Sequence, residues 1–395
     1  VQAAVTGNVI PDPTVNTSSS GFNGTVVTSV VQTDGRIVIG GSFTAFNGIA
    51  RNRIARLNSD GTLDPSYDPG AGFNEMVSTL ALQPDGKVLA GGYFTTFNTV
   101  ARGRIARLNT DGSLDTTFVP TGTGFGSSAV MAVAVRADGK VYAGGNFTAF
   151  NSTGRGGIAR LNADGSLDTT FVPTGSGFNG SVYTLAVQGD GRVVVGGGFT
   201  GFGGTPRSRI ARLYGDGSLD PTFNPGTGFD AHVNVVKLQA DGRLVAAGGF
   251  TSFAGTSRNR VARLMVDGAL DVSFSPGTGF DSYIMDVGIQ ADGTIVVGGD
   301  FSTFNGATRT RIARLNPFGN LDASFDPGVG PNSLVNSVAV QQDGKVLLGG
   351  YFSNVSGVVR ARYARLTSVG ALDAEFHSGA GFNKGVYATA AQADG

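Results

Sequence analysis

Arg53-Ile54-Ala55-Arg56-Leu57 runs on into Asn58-Ser59-Asp60-Gly61-Thr62-Leu63-Asp64, and this stretch decides the fold because the chain keeps repeating it. The pentapeptide returns around Ile105, Ile158, Ile210, Val261, Ile312 and Tyr363, at spacings of 51, 53, 52, 51, 51 and 51 residues. A fixed period of this size marks a repeat architecture. Outward from the motif, each copy holds short runs rich in Val, Ile, Leu and Phe, separated by Asp-Gly and without sustained helical periodicity. In the first copy four strands are expected. They are Val26 to Gln32, then Arg36 to Phe43 after the turn Thr33-Asp34-Gly35, then Arg51 to Asn58, and a fourth beginning at Thr62-Leu63-Asp64. Both turns fit a type I turn closed by a left-handed glycine. That geometry sets Leu57 opposite Leu63, and it predicts cross-strand pairs of Arg56 with Asp64, Arg107 with Asp115, and Arg160 with Asp168.

A four-stranded sheet with two apolar faces can bury neither alone, so the copies must stack face to face, and radial stacking closes into a propeller. The expected fold is all-β: a seven-bladed β-propeller of four-stranded antiparallel blades, or an excerpt of a longer repeat array. Residues 26–385 hold the propeller, and 386–395 read as the truncated start of an eighth repeat. Residues 1–25 form an N-terminal segment whose Val9-Ile10-Pro11-Asp12-Pro13 reads as a ring-closing outer strand. Glycine pairs such as Gly40-Gly41, Gly91-Gly92 and Gly298-Gly299 leave room for a neighbouring blade or ring. Ala81, Ala134, Ala186, Gly288 and Ala339 share one position of strand one and suit strands crowded round an axis. Lys237 breaks that series and is expected to point into a central channel.

The run Gly-Gly-x-Phe-Thr, followed by Arg-x-Arg-Ile-Ala-Arg-Leu-Asn-x-Asp-Gly-x-Leu-Asp-x-x-Phe, resembles the bacterial delta-60 repeat propeller family over nearly the whole chain. The resemblance implies the propeller fold and a setting in large secreted or cell-surface bacterial proteins. That family's function is largely unassigned, so the resemblance transfers no catalytic residue.

Lys+Arg and Asp+Glu both count 29, and a formal net charge of zero offers no bulk attraction to nucleic acid or an anionic membrane. The absence of cysteine excludes disulfides, thiolate metal sites and cysteine nucleophiles. The longest apolar run, Ala129 to Val135, falls far short of the roughly 20 residues of a membrane helix. His232 and His377, in non-equivalent repeats, supply little material for a zinc site or a catalytic triad. Asn58-x-Asp60-Gly61-x-x-Asp64 has its glycine at the fourth place, where a calcium loop needs it at the sixth, and reads as turn chemistry. Only Glu75 and Glu375 interrupt the aspartates, and no acid pair for glycoside hydrolysis stands out. No catalytic residue, metal or cofactor is therefore assigned, and the chain reads as a non-enzyme.

The loops joining strand four to one and strand two to three share one face, the common binding face of propellers. They carry Phe46-Asn47-Gly48, Phe97-Asn98, Phe150-Asn151 and Phe304-Asn305, with Gly72-Phe73-Asn74, Gly177-Phe178-Asn179 and Gly228-Phe229-Asp230. These phenylalanines read as plugs between blades rather than sugar platforms, and the absence of tryptophan weakens a lectin reading. Seven arginines open strand three: Arg51, Arg102, Arg155, Arg207, Arg258, Arg309 and Arg360. Such a ring either binds sulfated or carboxylated polymers or is satisfied internally by aspartates and loop carbonyls. The function expected is a non-catalytic, secreted or cell-surface binding or scaffold module in a larger bacterial assembly, an adhesin or filament component. Its partners would be proteins or copies of itself. The alternatives are a glycan-binding, lectin-like propeller and a polysaccharide hydrolase or lyase.

Overall fold

The computed structural model describes residues 22–24, 26–58, 62–118, 122–126, 128–341, 343–360 and 363–374. Seven blades follow one another, each with an inner strand of six residues, beginning with Val26–Val31 and Val77–Leu82 and ending with Val335–Val340. In blade 1 the inner strand pairs antiparallel with a middle strand, Ile37–Gly41, which pairs in turn with an outer strand, Ile54–Leu57. The Asp-Gly turn between the first two is the expected one. Gln32 N donates to Arg36 O, Gly35 N donates to Gln32 O, and Gly35 takes a φ of 84°.

Two expectations need correction. Strand four is a single bridge, Leu57 to Leu63, in place of a full strand. Asp64 ends it at once, because its carboxylate accepts from Ser66 N at 2.9 Å and from Ser66 Oγ at 2.6 Å and bends the chain into a turn. In addition, a small hairpin, Ala45–Phe46 with Ile49–Ala50, stands between the middle and outer strands. Each blade is thus a three-stranded sheet with a two-stranded annex. The ring-closing strand expected within 1–25 and the eighth-repeat start at 386–395 lie outside the described residues.

Blades pack through shared apolar clusters. Val38 and Ile54 of blade 1 join Val77, Val88 and Phe94 of blade 2 in one cluster. The same interface closes the ring: Ala339, Leu347 and Tyr363 of blade 7 sit with Val26, Ile39 and Leu57 of blade 1. The approach is close enough to dictate glycine. A Cβ on Gly40 would stand 2.6 Å from Val77 Cγ1 of the next blade. Under the annex, the loop phenylalanines form buried triads. Phe73 lies 4.2 Å from Phe94 and 4.7 Å from Phe97, centroid to centroid, and Phe229 repeats this with Phe250 and Phe253. All six rings are at most 2% exposed, so they serve as core.

A polar hub ties each blade to the next. Arg56 Nε donates to Asp64 Oδ2 at 2.7 Å, while its Nη1 crosses to Thr110 O of blade 2 at 2.5 Å. Arg107 with Asp115 repeats the pair at 2.7 Å and Arg160 with Asp168 at 2.6 Å, and each guanidinium lies over an aromatic ring, Phe118 or Phe171. Burial alone would raise the Asp64 carboxyl, but the hydrogen bonds from Ser66 and Arg56 outweigh it and hold the group below its ordinary value.

Candidate functional site on the loop face

The two ends of the ring differ in chemistry. The turn face carries the Asp-Gly turns. The loop face carries the annex hairpins and the entries to the inner strands. The Arg51 series is partly buried in the loop face: Arg102 and Arg155 are each only 7% exposed, and the other five are half-buried. Each arginine donates from Nη1 to the carbonyl just before it, Arg51 to Ala50 O at 2.8 Å and Arg360 to Val359 O at 2.9 Å. The Nε of Arg51, Arg102, Arg155, Arg207, Arg258, Arg309 and Arg360 is buried without a hydrogen-bond partner. Burial pulls the Arg102, Arg155 and Arg258 guanidiniums below their ordinary value. The loop carbonyl, rather than aspartate, is their partner.

A second arginine series went unmarked in the sequence. Arg53, Arg104, Arg209, Arg260 and Arg311 stand two residues later and adopt φ of 63° to 72°. The left-handed conformation costs a non-glycine residue about 1–2 kcal/mol, so keeping arginine here has a reason in the side chain. Nη1 of Arg104, Arg209 and Arg260 donates to the carbonyls of Tyr93, Gly198 and Gly249, one residue beyond each middle strand. Blade 3 alone among the described copies has Gly157 there, at φ 73°. An open cleft of about 430 Å³ lies beside Asn146, Gly157 and Ser181. The signal in the sequence was the spacing Arg-x-Arg, whose second member is the one that lacks a copy in blade 3.

Every inner strand also carries a β-bulge near this face, as between Val26 and Thr28 or Val182 and Thr184. Bulges re-aim a side chain, and the bulged residues are Val27, Ser78, Met131, Tyr183, Asn234, Met285 and Asn336. The residue after the middle-strand glycines is equally varied: Ser42, Tyr93, Asn146, Gly198, Gly249, Asp300 and Tyr351. So is the residue entering the inner strand, which is Met76, Ala129, Ser181, His232, Tyr283 and Leu334 in blades 2 to 7. Tyr93, Tyr183 and Tyr283 are 38%, 37% and 46% exposed. His232 lies on this face, half-buried, and burial followed by the nearby Arg209 and Arg260 lowers its pKa. His377 and Glu375 lie outside the described residues.

Zero net charge conceals a division. Among the described residues the two arginine series share the loop face with four carboxylates, Glu75, Asp230, Asp281 and Asp300. Of these, Asp230 and Asp281 cap annex backbone amides, and Asp300 lies 3.4 Å from Arg311. The loop face is therefore cationic. On the inner strands, Lys237 Nζ of blade 5 approaches Asp286 Oδ1 of blade 6 at 3.9 Å, and Asp286 Oδ2 accepts from Val338 N of blade 7 at 3.0 Å. Burial raises the Asp286 carboxyl above its ordinary value, with Lys237 opposing. Among the described residues no three His, Asp or Glu side chains gather as metal ligands, and no helix is long and apolar enough to cross a membrane.

Solved structures similar to this chain include the WD40 β-propeller domain of Doa1 and the Dos1 propeller. The first is 14% identical with a TM-score of 0.55, over 84% of this chain and 90% of that one. The second is 12% identical with a TM-score of 0.52, over 89% and 82%. At such identities the likeness is one of fold. Among curated proteins no sequence matches. A family model described as "Domain of unknown function (DUF5122) beta-propeller" matches at 32–67, 83–118, 136–171, 188–223, 239–274, 290–325 and 341–376. Each match spans the middle strand, the outer strand and the arginine-aspartate hub, so the seven copies that build this ring place the chain in the DUF5122 β-propeller family.

Proposed function

We propose that the chain is a non-catalytic binding module that engages its ligand on the loop face, around the mouth of the channel. One observation carries this reading: blades built on one repeated core present different side chains at the bulged, strand-entry and post-glycine positions, which all converge on that face. A scaffold that repeats its core and varies one exposed ring behaves as a binding surface. The Arg51 series supplies a positive field from beneath, and an anionic partner fits it better than a neutral one. The aspartates of the turn face favour binding over hydrolysis, because Asp64, Asp115 and Asp168 are each held by an arginine and a hydroxyl. The likeness to the delta-60 repeat propellers supports a place in a secreted or surface-bound bacterial assembly, as part of an adhesin or filament.

Because the chain has no cysteine, one introduced at Ser181 on the loop face or at Ser113 on the turn face can be labelled uniquely. Binding to an array of glycans and acidic polymers is expected to be blocked by a bulky label at Ser181 and spared by one at Ser113, with no shortened chains released. Blockage from the turn face, or release of products, would overturn the reading.

A further inference from the structure

Blades 4, 5 and 6 depart from their siblings together. The residue after the middle-strand glycines is itself glycine only in blades 4 and 5, as Gly198 and Gly249. These two glycines form a floor. A Cβ on Gly249 would stand 2.5 Å from His232 Cε1 and 2.8 Å from Tyr283 Cε1, and one on Gly198 would stand 3.1 Å from the Tyr183 hydroxyl. Only without side chains there can His232, Tyr283 and Tyr183 lie across the middle strands. The His232 and Tyr283 rings stack at 5.6 Å with 14° between planes. Tyr283 remains 46% exposed.

The same floor holds two cations. The carbonyls of Gly198 and Gly249 accept from Arg209 and Arg260, and the Arg260 guanidinium lies 5.2 Å from the Tyr283 ring centre. In blade 6 the equivalent Arg311 has Asp300 at 3.4 Å, but among the described residues no carboxylate pairs with Arg209 or Arg260. His232, held neutral by burial and by these two guanidiniums, adds no third charge.

We propose that this platform binds an acidic saccharide, with a sugar face against Tyr283 and the sugar carboxylate between Arg209 and Arg260. An aromatic face offers flat apolar area to the C–H groups of a pyranose at small entropic cost. Guanidinium groups match a carboxylate in geometry and charge. A neutral sugar uses only the first contact, and a simple anion only the second. The proposal rests on the loop-face reading and names its ligand class.

The repeats themselves supply substitutions that the fold already tolerates. Tyr283→Ser copies Ser181, and Arg209→Gly with Arg260→Gly copies Gly157. Calorimetric titration would compare oligogalacturonate, oligoglucuronate and sialyllactose, each with its neutral counterpart. At least one acidic ligand is expected to bind tenfold or more tightly than its counterpart, and to weaken as salt rises. Tyr283→Ser and the double arginine variant should each weaken it tenfold or more, while Tyr93→Ser, which copies Ser42, leaves it unchanged. Equal binding of acidic and neutral sugars, or no binding of any acidic ligand, would overturn the proposal. Binding lost with Tyr93→Ser but kept with Tyr283→Ser would overturn the platform and leave the loop-face reading standing.

Discussion

Asp220→Ala offers the sharpest test of how the blades are joined. Asp220 is fully buried, and its Oδ2 accepts from Arg212 Nε at 2.6 Å while Oδ1 accepts from Thr222 N at 2.9 Å and Thr222 Oγ1 at 2.6 Å. Truncation leaves Arg212, itself 3% exposed, as a buried charge without its counter-ion. Breaking such a pair costs about 3–5 kcal/mol. Arg212 keeps its bond to Val266 O at 2.5 Å and its place over Phe223, which puts the cost near the lower end. At about 2 °C per kcal/mol for a long chain, about 3 kcal/mol lowers the melting temperature by about 6 °C. Adding Arg212→Met removes the stranded charge, so the double variant should recover most of the loss. Asp216→Ala, whose exposed carboxylate only caps its own turn through Ser218, should cost under about 1 kcal/mol and serves as the control. An unchanged melting temperature for Asp220→Ala, or no recovery in the double variant, would refute the view that these hubs hold buried, mutually dependent charges.

The same hubs predict acid unfolding. Burial would raise Asp220, but hydrogen bonds from Thr222 and Arg212 bring it down to about 2, and Asp64, Asp115, Asp168, Asp271 and Asp322 are lowered by equivalent bonds. Their stabilisation is complete above the unfolded value of about 4 and is lost as pH falls towards 2, so the melting temperature should drop steeply in that window; a flat profile from pH 5 to 2 argues against it. Asp286 has the opposite sign, because its raised pKa makes the folded state less stable as pH rises past about 4. Asp286→Thr places in blade 6 the residue found at Thr28, Thr79 and Thr184 and can keep the inter-blade bond, as Thr184 Oγ1 accepts from Val236 N. It should hold or raise the melting temperature at pH 7, and a loss above about 1 kcal/mol contradicts the assignment. Gly157→Arg should fold within about 1 kcal/mol of the parent, since the left-handed cost of about 1–2 kcal/mol is offset by a bond of about 1 kcal/mol to Asn146 O and by filling the cleft. A crystal structure with that arginine in solvent would count against it.

The turn-face half of the molecule was open to reading because one rule, a type I turn with a left-handed glycine, fixes register through a tight hairpin. From the second turn, read in the sequence as Ser59-Asp60-Gly61, the pairing of Arg56 with Asp64 follows, since Leu57 must face Leu63. The loop face escaped for two reasons. Its annex strands are two residues long, so no alternation of apolar and polar residues could announce them. Its candidate binding positions depend on a bulge, which shifts the pleat by one residue and turns Tyr183 out of the pattern followed by Val182 and Thr184. The ring of Arg51 and its equivalents attracted attention by its regularity. In the structure one guanidinium nitrogen of each donates to the carbonyl just before it, a contact that the sequence pattern does not announce.

Seven copies of one blade make the exceptions informative in a way that a single domain does not permit. At each position the other copies state what the scaffold requires, and a departure must then answer to something other than folding. Glycine is the cheapest residue for the conformation at Arg53 and its equivalents, and blade 3 shows with Gly157 that the fold accepts it. Six blades nevertheless keep arginine in sequence, and in the five that are described the total cost is several kcal/mol if each left-handed residue costs about 1–2 kcal/mol. The bonds to Gly198 O and Gly249 O return part of that cost, yet the Nε atoms of Arg209 and Arg260 remain buried and unpartnered. The buried Nε atoms are beyond the reach of a ligand, so an acidic saccharide would have to meet Arg209 and Arg260 through their outer guanidinium nitrogens, beside the exposed ring of Tyr283.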